Sequence, residues 1–114
     1  MSGWTVRLTH QAAQDIEDIL HWTFERFGPL QMAAYADVIN DALDALVKWP
    51  HLLDARRRPE LGDDVATLHV ARQGRKGRHL VVFRVYEKGC VIEVLRILHD
   101  SMDLPRHFIS NANG

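Results

Sequence analysis

The last third of the chain holds the stretch that decides the fold: His79-Leu-Val-Val-Phe-Arg-Val-Tyr86, followed by Cys90-Val-Ile-Glu-Val-Leu-Arg-Ile-Leu98. Both runs are rich in β-branched and aromatic residues, which favour strands, and Glu87-Lys88-Gly89 between them is typical of a tight turn. The two runs therefore predict a β-hairpin. A two-residue loop at Lys88-Gly89 predicts four cross-strand pairs: Tyr86–Val91, Arg84–Glu93, Val82–Leu95 and Leu80–Ile97.

The residues before the hairpin predict a strand, two helices and a further strand. Apolar residues alternate over Trp4–Leu8, which indicates a half-buried strand, and Thr9 suits the N-cap of a following helix. Gly28-Pro29 favours the end of this helix and the start of a second one at about 30–48. Residues 51–64 show no clean period and predict a loop, with a short helical turn as an alternative, and a strand follows at about 65–71.

These elements define an α+β fold of order β-α-α-β-β-β, in which a helical hairpin packs on one face of a twisted, mainly antiparallel sheet and a short C-terminal tail follows. At 114 residues we expect one domain, residues 1–114. An apolar fraction of 46% with 25% charged residues excludes a disordered chain. We expect a cytoplasmic protein, because no membrane-length apolar run or secretory signal is visible and the lone Cys90 fits a reducing compartment.

Charge is divided unevenly along the chain. Residues 1–55 carry three basic and eight acidic side chains, whereas residues 56–114 carry eleven basic and seven acidic ones. The basic residues cluster as Arg56-Arg57-Arg58 in the predicted loop and as Arg72, Arg75, Lys76 and Arg78 around a glycine turn. This half suits an anion, a nucleic acid or an acidic protein as partner, and ordinary solvated surface charge is an equally good interpretation.

Three residues of the hairpin have two interpretations each. Arg84 and Glu93 are expected to form a structural cross-strand ion pair, with a functional role for Arg84 as the alternative. Arg96 falls on the sheet face predicted to meet the helices, together with Val81, Phe83, Val85, Ile92, Val94 and Leu98. It therefore needs either an ion pair with a helix carboxylate such as Asp15 or Asp18, or an anion at the sheet end. His99 either ties the tail to the sheet or acts as a general acid or base.

The other histidines are scattered, and none forms a helical i, i+4 pair with another histidine or with cysteine. The glycine turn lacks the strand and helix context of a phosphate-binding loop. We therefore expect neither a metal site nor a cofactor.

Three features of the chain occur together: the predicted order of elements, the first-helix segment Asp15-Ile-Glu-Asp-Ile-Leu-His-Trp22, and the ending Val94-Leu-Arg-Ile-Leu-His-Asp-Ser-Met-Asp-Leu-Pro-Arg-His-Phe108. In this combination the chain resembles the RelE/ParE toxins of bacterial type II toxin–antitoxin modules. The likeness covers nearly the whole chain. The two long helices and the C-terminal ending are more similar to the ParE branch, often called plasmid stabilization proteins.

This resemblance implies a toxin that inhibits DNA gyrase without chemistry of its own and is neutralised by a cognate antitoxin in a hetero-oligomer. It leaves as candidates for contacts with gyrase or antitoxin Arg56, Arg57, Arg58, Arg72, Arg75, Lys76, Arg78, Arg96, His99, Asp103 and Arg106. The alternatives are a toxin that only binds its antitoxin, or a RelE-type, ribosome-dependent endoribonuclease using Arg84, Arg96 and His99. No lysine-rich segment precedes the sheet and no tyrosine follows Arg96, so the RelE catalytic set would be incomplete.

Overall fold

The computed structural model describes residues 3–106, in which five strands form one sheet of order β1-β5-β4-β3-β2. The strands are β1 (Thr5–Leu8), β2 (Arg56–Arg57), β3 (Val65–His69), β4 (His79–Tyr86) and β5 (Val91–His99), and the helices are α1 (His10–Phe27) and α2 (Pro29–Ala45), the latter extended by a 3-10 turn at Leu46–Lys48. β1 runs parallel to β5, and the other neighbouring strands are antiparallel. The predicted α+β class, with its mainly antiparallel sheet and helical hairpin, is confirmed.

Short-range signals place the two helices as predicted. The Thr9 hydroxyl accepts a hydrogen bond from the Ala12 amide at 3.1 Å, which caps α1, and donates one to the Leu95 carbonyl at 3.0 Å. Gly28 ends α1 at a φ of 88°, a value that glycine adopts without strain, and Pro29 begins α2. Thr9 therefore both starts the helix and fixes it to β5.

The hairpin register follows the prediction only as far as a β-bulge. Tyr86 pairs with Val91 and Arg84 with Glu93, but the register shifts between Val82 and Phe83. Beyond the shift Val82 pairs with Arg96, so the predicted pairing of Val82 with Leu95 is wrong, as is that of Leu80 with Ile97: Leu80 pairs with Leu98. The cause is one extra residue in β5, since two residues of this strand lie opposite one residue of β4.

The bulge also exchanges the faces of the last β5 residues. Ile97 belongs to the core between sheet and helices, whereas Leu98, predicted to face the helices, lies on the opposite face. The helix-side core contains, among others, Ala12, Val38, Ala42, Val81, Phe83, Val85, Ile92 and Val94. A smaller cluster covers the other face with Leu61, Val65, Leu80, Val82, Leu98 and Leu104.

The segment 51–64 is not only a loop. Arg56 and Arg57 form β2 at the sheet edge, paired with Thr67 and Ala66 of β3. The prediction missed this strand because two residues are too few to show a period-2 pattern. β3 itself ends at His69, two residues earlier than predicted.

Candidate functional site: a groove with two histidines

A groove of about 610 Å³ lies between the helical hairpin and the end of the sheet. Its lining residues are Asp18, Ile19, Trp22, Thr23, Phe27, Gln31, Tyr35, Lys76, Gly77, Arg78, His79 and His99. Trp22 and Phe27 pack edge to face with ring centroids 5.9 Å apart, and they remain 55% and 62% exposed. Two large aromatic side chains left open to solvent beside a groove indicate a binding surface.

Gly77 brings one wall of the groove close to α2. A Cβ atom on this residue would lie 2.5 Å from Val70 Cγ2 and 3.0 Å from the Tyr35 hydroxyl oxygen. The next amide, that of Arg78, donates a hydrogen bond to the same hydroxyl oxygen at 3.1 Å. The glycine turn is therefore fixed against Tyr35, and it holds Lys76 and Arg78 at the groove.

Tyr35 and His79 form a hydrogen-bonded pair at the end of the groove. The Tyr35 hydroxyl oxygen lies 2.6 Å from His79 Nδ1. Burial, and after it the nearby His99, lowers the pKa of His79 from its usual 6.5 to about 4. Burial also raises the pKa of Tyr35. Both groups are therefore uncharged near neutral pH.

His99 lies beside this pair and holds the start of the C-terminal tail. Its Nδ1 atom accepts a hydrogen bond from the Ser101 amide at 3.1 Å and lies 2.7 Å from the Ser101 hydroxyl. The tail-tying role predicted for His99 is confirmed. The rings of His79 and His99 are in edge-to-face contact, with centroids 5.4 Å apart, so the groove is lined by two adjacent imidazoles.

Arg96 forms the buried ion pair that the sequence offered as one of its two interpretations. Its Nε lies 2.7 Å from Asp15 Oδ2 and its Nη2 lies 3.0 Å from Asp15 Oδ1, while the Ile97 amide donates to Oδ2 at 3.0 Å. The Arg96 side chain is 14% exposed and that of Asp15 is 10% exposed. One carboxylate thus joins α1 to β5 beside the bulge.

The three residues of the ribonuclease alternative are not brought together. Arg84 belongs to the sheet face away from the helices, where its Nη2 would lie 3.5 Å from a Cβ at Gly62. Arg96 is committed to Asp15 on the helix side, and His99 lies in the groove.

The predicted Arg84–Glu93 ion pair is wrong, although the two residues are cross-strand partners. The Glu93 carboxylate instead lies 3.3 Å from Arg7 Nε and accepts a hydrogen bond from the Tyr86 hydroxyl at 3.2 Å. Glu93 also pairs with Arg7 across the parallel β1–β5 ladder, a neighbour that the hairpin register by itself does not reveal.

Most of the basic candidate residues are already paired with protein groups. Arg72 binds Asp54 at 2.7 Å, Arg75 binds Asp41, and Arg78 binds Asp100 at 3.3 Å. The hydrogen bond from Arg72 lowers the pKa of Asp54. The ion pairs of Arg72, Arg75 and Arg96 each join the basic half of the chain to a carboxylate of its acidic half. Part of the excess positive charge of residues 56–114 is therefore neutralised within the protein.

The other candidates lie at two separate places. Arg58 donates to the Thr67 hydroxyl at 2.9 Å, and the Arg57 guanidinium lies 4.9 Å from the centre of the Trp49 ring, at the sheet edge. Among the described residues, Arg56, Arg57 and Lys76 have no carboxylate within ion-pair distance. Asp103 and Arg106 are exposed. The last residues of the predicted contact tail, 107 and 108, lie outside the described range.

Sequence reasoning did not select Tyr35, His79, Gly77, Trp22 or Phe27. Tyr35 and Phe27 recur with other apolar residues at helical spacing, which is typical of core positions, and His79 is one of several scattered histidines. A usable signal existed in the hairpin, because the first residue of one antiparallel strand lies near the last residue of the other. The bulge concealed it, since the uninterrupted register pairs His79 with Leu98 rather than with His99.

The architecture of the chain is a five-stranded, mostly antiparallel sheet with two packed helices. A solved structure described as the chromosomal ParDE TA (toxin–antitoxin) system from P. aeruginosa shares it, with a TM-score of 0.67 and 23% identity over 87% of this chain and 98% of that one. Residues 6–104 match the family of ParE toxins of the type II toxin-antitoxin system, parDE. The chain therefore belongs to the ParE toxin family.

A curated relative is similar over nearly its whole length. Toxin ParE1 of Caulobacter vibrioides is 28% identical over 102 residues, which are 89% of this chain and 94% of that protein. Within residues 3–106, no group of three or more His, Cys, Asp or Glu side chains is arranged to hold a metal ion. Over the same range, neither helix has the length and apolar character that a membrane span requires.

Proposed function

We propose that this ParE toxin inhibits DNA gyrase by protein contacts and that a cognate antitoxin neutralises it. Membership of the parDE family supports the antitoxin as partner. The observation that carries the choice of binding over catalysis is the Arg96–Asp15 ion pair, since it removes from solvent the arginine that phosphodiester cleavage would need. The open groove with exposed Trp22 and Phe27 supplies a surface of the kind that protein partners cover.

The gyrase proposal is tested with a plasmid supercoiling and cleavage assay. Purified gyrase is incubated with the toxin at several molar ratios, and the products are resolved as supercoiled, relaxed and linear DNA. We expect loss of supercoiling with accumulation of cleaved DNA, and reversal when the purified antitoxin is added. Unchanged supercoiling at a several-fold molar excess of toxin over gyrase would refute the proposal.

A second assay addresses the ribonuclease alternative in the same preparation. A messenger RNA translated on ribosomes is mapped for new 5′ ends with wild-type toxin and with His99→Asn. Asparagine can still accept the Ser101 amide, so the tail contact is retained while the ring Nε2 is lost. We expect no cleavage with either protein. Cleavage by the wild type that disappears with His99→Asn would establish the enzyme instead.

The proposed target also fixes where the toxin acts. DNA gyrase works on DNA in the cytoplasm, so we propose a cytoplasmic toxin–antitoxin hetero-oligomer. Fractionation of cells that carry both genes, with immunodetection of the toxin, tests this localisation directly.

A further inference from the structure

The hydrogen bonds around His79 and His99 allow the tautomers of their neutral rings to be assigned. Tyr35 accepts the Arg78 amide, and the acceptor that the structure offers its own hydroxyl proton is His79 Nδ1. His99 Nδ1 accepts the Ser101 amide. In a neutral imidazole that accepts at Nδ1, the proton is on Nε2. Both histidines therefore present an Nε2–H donor.

Neither of these two donors is used within the described residues. No hydrogen bond joins Nε2 of His79 or of His99 to another group, and both residues line the groove. His69 makes the contrast: its Nδ1 accepts the Ala71 amide at 2.9 Å, and its Nε2 lies 2.9 Å from Asp100 Oδ2. Two residues that line the groove thus have an assigned Nε2–H donor without a partner in the described range, whereas Nε2 of His69 already has a carboxylate.

The surroundings of the two donors favour a carboxylate on an otherwise apolar ligand. Lys76 has no carboxylate partner in the described range, and it lines the same groove. Ile19, Trp22 and Phe27 supply apolar surface beside it. Paired N–H donors with a nearby cation suit an acceptor-only, negatively charged group. A nucleic acid fits less well, because Arg78 and Arg75 are engaged with Asp100 and Asp41.

We propose that His79 and His99 capture an aspartate or glutamate carboxylate of the antitoxin, whose neighbouring apolar side chains fill the groove against Trp22 and Phe27. This inference rests on the antitoxin proposed above and adds the residues that select it. The occupant is an acidic, amphipathic segment, because its apolar side chains suit the apolar lining and its carboxylate suits the Lys76 ammonium. The carboxylate accepts from both Nε2–H groups, and the Lys76 ammonium balances its charge.

The test is a double-mutant cycle with the full-length cognate antitoxin. On the toxin, His79→Asn and His99→Asn each keep an acceptor for Tyr35 or Ser101 and remove the Nε2–H donor. His51→Asn is the matched control, because His51 is exposed and does not line the groove. On the antitoxin, each Asp or Glu is replaced in turn by Asn or Gln. Dissociation constants are measured by competition, and thermal unfolding confirms that each variant is folded.

We expect His99→Asn and His79→Asn to weaken antitoxin binding by about 10- to 100-fold, the size of a charge-assisted hydrogen bond, and His51→Asn to leave it unchanged. One of the antitoxin replacements should weaken binding to the wild-type toxin, and the same replacement should cause little further loss of affinity when the toxin already carries His99→Asn. If His79→Asn fails to fold, His99→Asn and Lys76→Gln complete the same cycle. Unchanged affinity of folded His99→Asn, or losses that add for every antitoxin acid, would overturn the inference.

The outcomes separate this inference from the proposed function. Antitoxin that binds and rescues gyrase equally with wild type and His99→Asn would overturn the carboxylate capture alone. Coupled losses without any effect of the toxin on gyrase would overturn the target and support the capture. No binding of the antitoxin to the wild type would overturn both.

Discussion

Replacing Asp15 by alanine should cost more stability than any other single change on α1. The substitution leaves the Arg96 guanidinium without its bidentate acceptor at 2.7 and 3.0 Å, and the Ile97 amide without its acceptor at 3.0 Å. With the arginine side chain only 14% exposed, it cannot reach water without moving. Removing one partner of a buried pair costs about 3–5 kcal/mol, a large fraction of the roughly 5–15 kcal/mol that stabilises a domain.

The loss is measured by urea unfolding of the purified toxin. With an m value of about 2 kcal/mol per molar urea, a cost of about 4 kcal/mol lowers the midpoint by about 2 M. Asp18→Ala is the matched control, because Asp18 is exposed on the same helix and, among residues 3–106, its carboxylate accepts only from Gln14. We expect the control to change stability by less than about 0.5 kcal/mol.

A double variant distinguishes a charge left unpaired from a lost contact. Asp15→Leu combined with Arg96→Met removes both charges, so it should recover most of the stability that Asp15→Ala loses. If Asp15→Ala unfolds within about 1 kcal/mol of the wild type, Arg96 is not held in the buried position, and the argument against its catalytic use fails with it.

Three further changes test other parts of the structure. Thr9→Ala should lower the free energy of unfolding by about 1–2 kcal/mol, because it removes the α1 cap and the hydrogen bond to the Leu95 carbonyl. Thr9→Ser keeps the hydroxyl and should retain most of the wild-type stability. Urea unfolding of both variants measures the difference. Gly77→Ala should displace the turn from Tyr35, because the added Cβ has no room, and a changed Tyr35 ring resonance in NMR spectra would report it. The pKa of His79 is lower in the folded chain than in the unfolded one, so the unfolded chain binds the proton first and stability present above pH 6.5 should be lost as pH falls towards 4. The midpoint of thermal unfolding should therefore depend less on pH, between pH 7 and pH 4.5, in His79→Asn than in the wild type. An identical pH dependence of the two proteins would contradict the assignment.

Local signals in the sequence were sufficient for the elements that depend on near neighbours. Thr9 as cap, the Gly28-Pro29 junction and the first half of the hairpin register each follow from the chemistry of a few consecutive residues. β2 and the true partner of Glu93 depend on strands distant in sequence. Glu93 has Arg84 on one side and Arg7 on the other, and only the assembled sheet decides between them.

The groove could not be predicted because it depends on the one irregularity of the hairpin. An unbroken register places His79 beside Leu98 and moves the last β5 residues to the opposite faces. The extra residue in β5 shifts this register by one, so that His79 pairs with His99 at the sheet end. It also moves Ile97 to the helix side of the sheet, and the Ile97 amide donates to Asp15 on α1. One inserted residue therefore accounts for the pair of imidazoles at the sheet end, whereas the Arg96–Asp15 ion pair follows from a register in which Arg96 faces the helices with or without that residue.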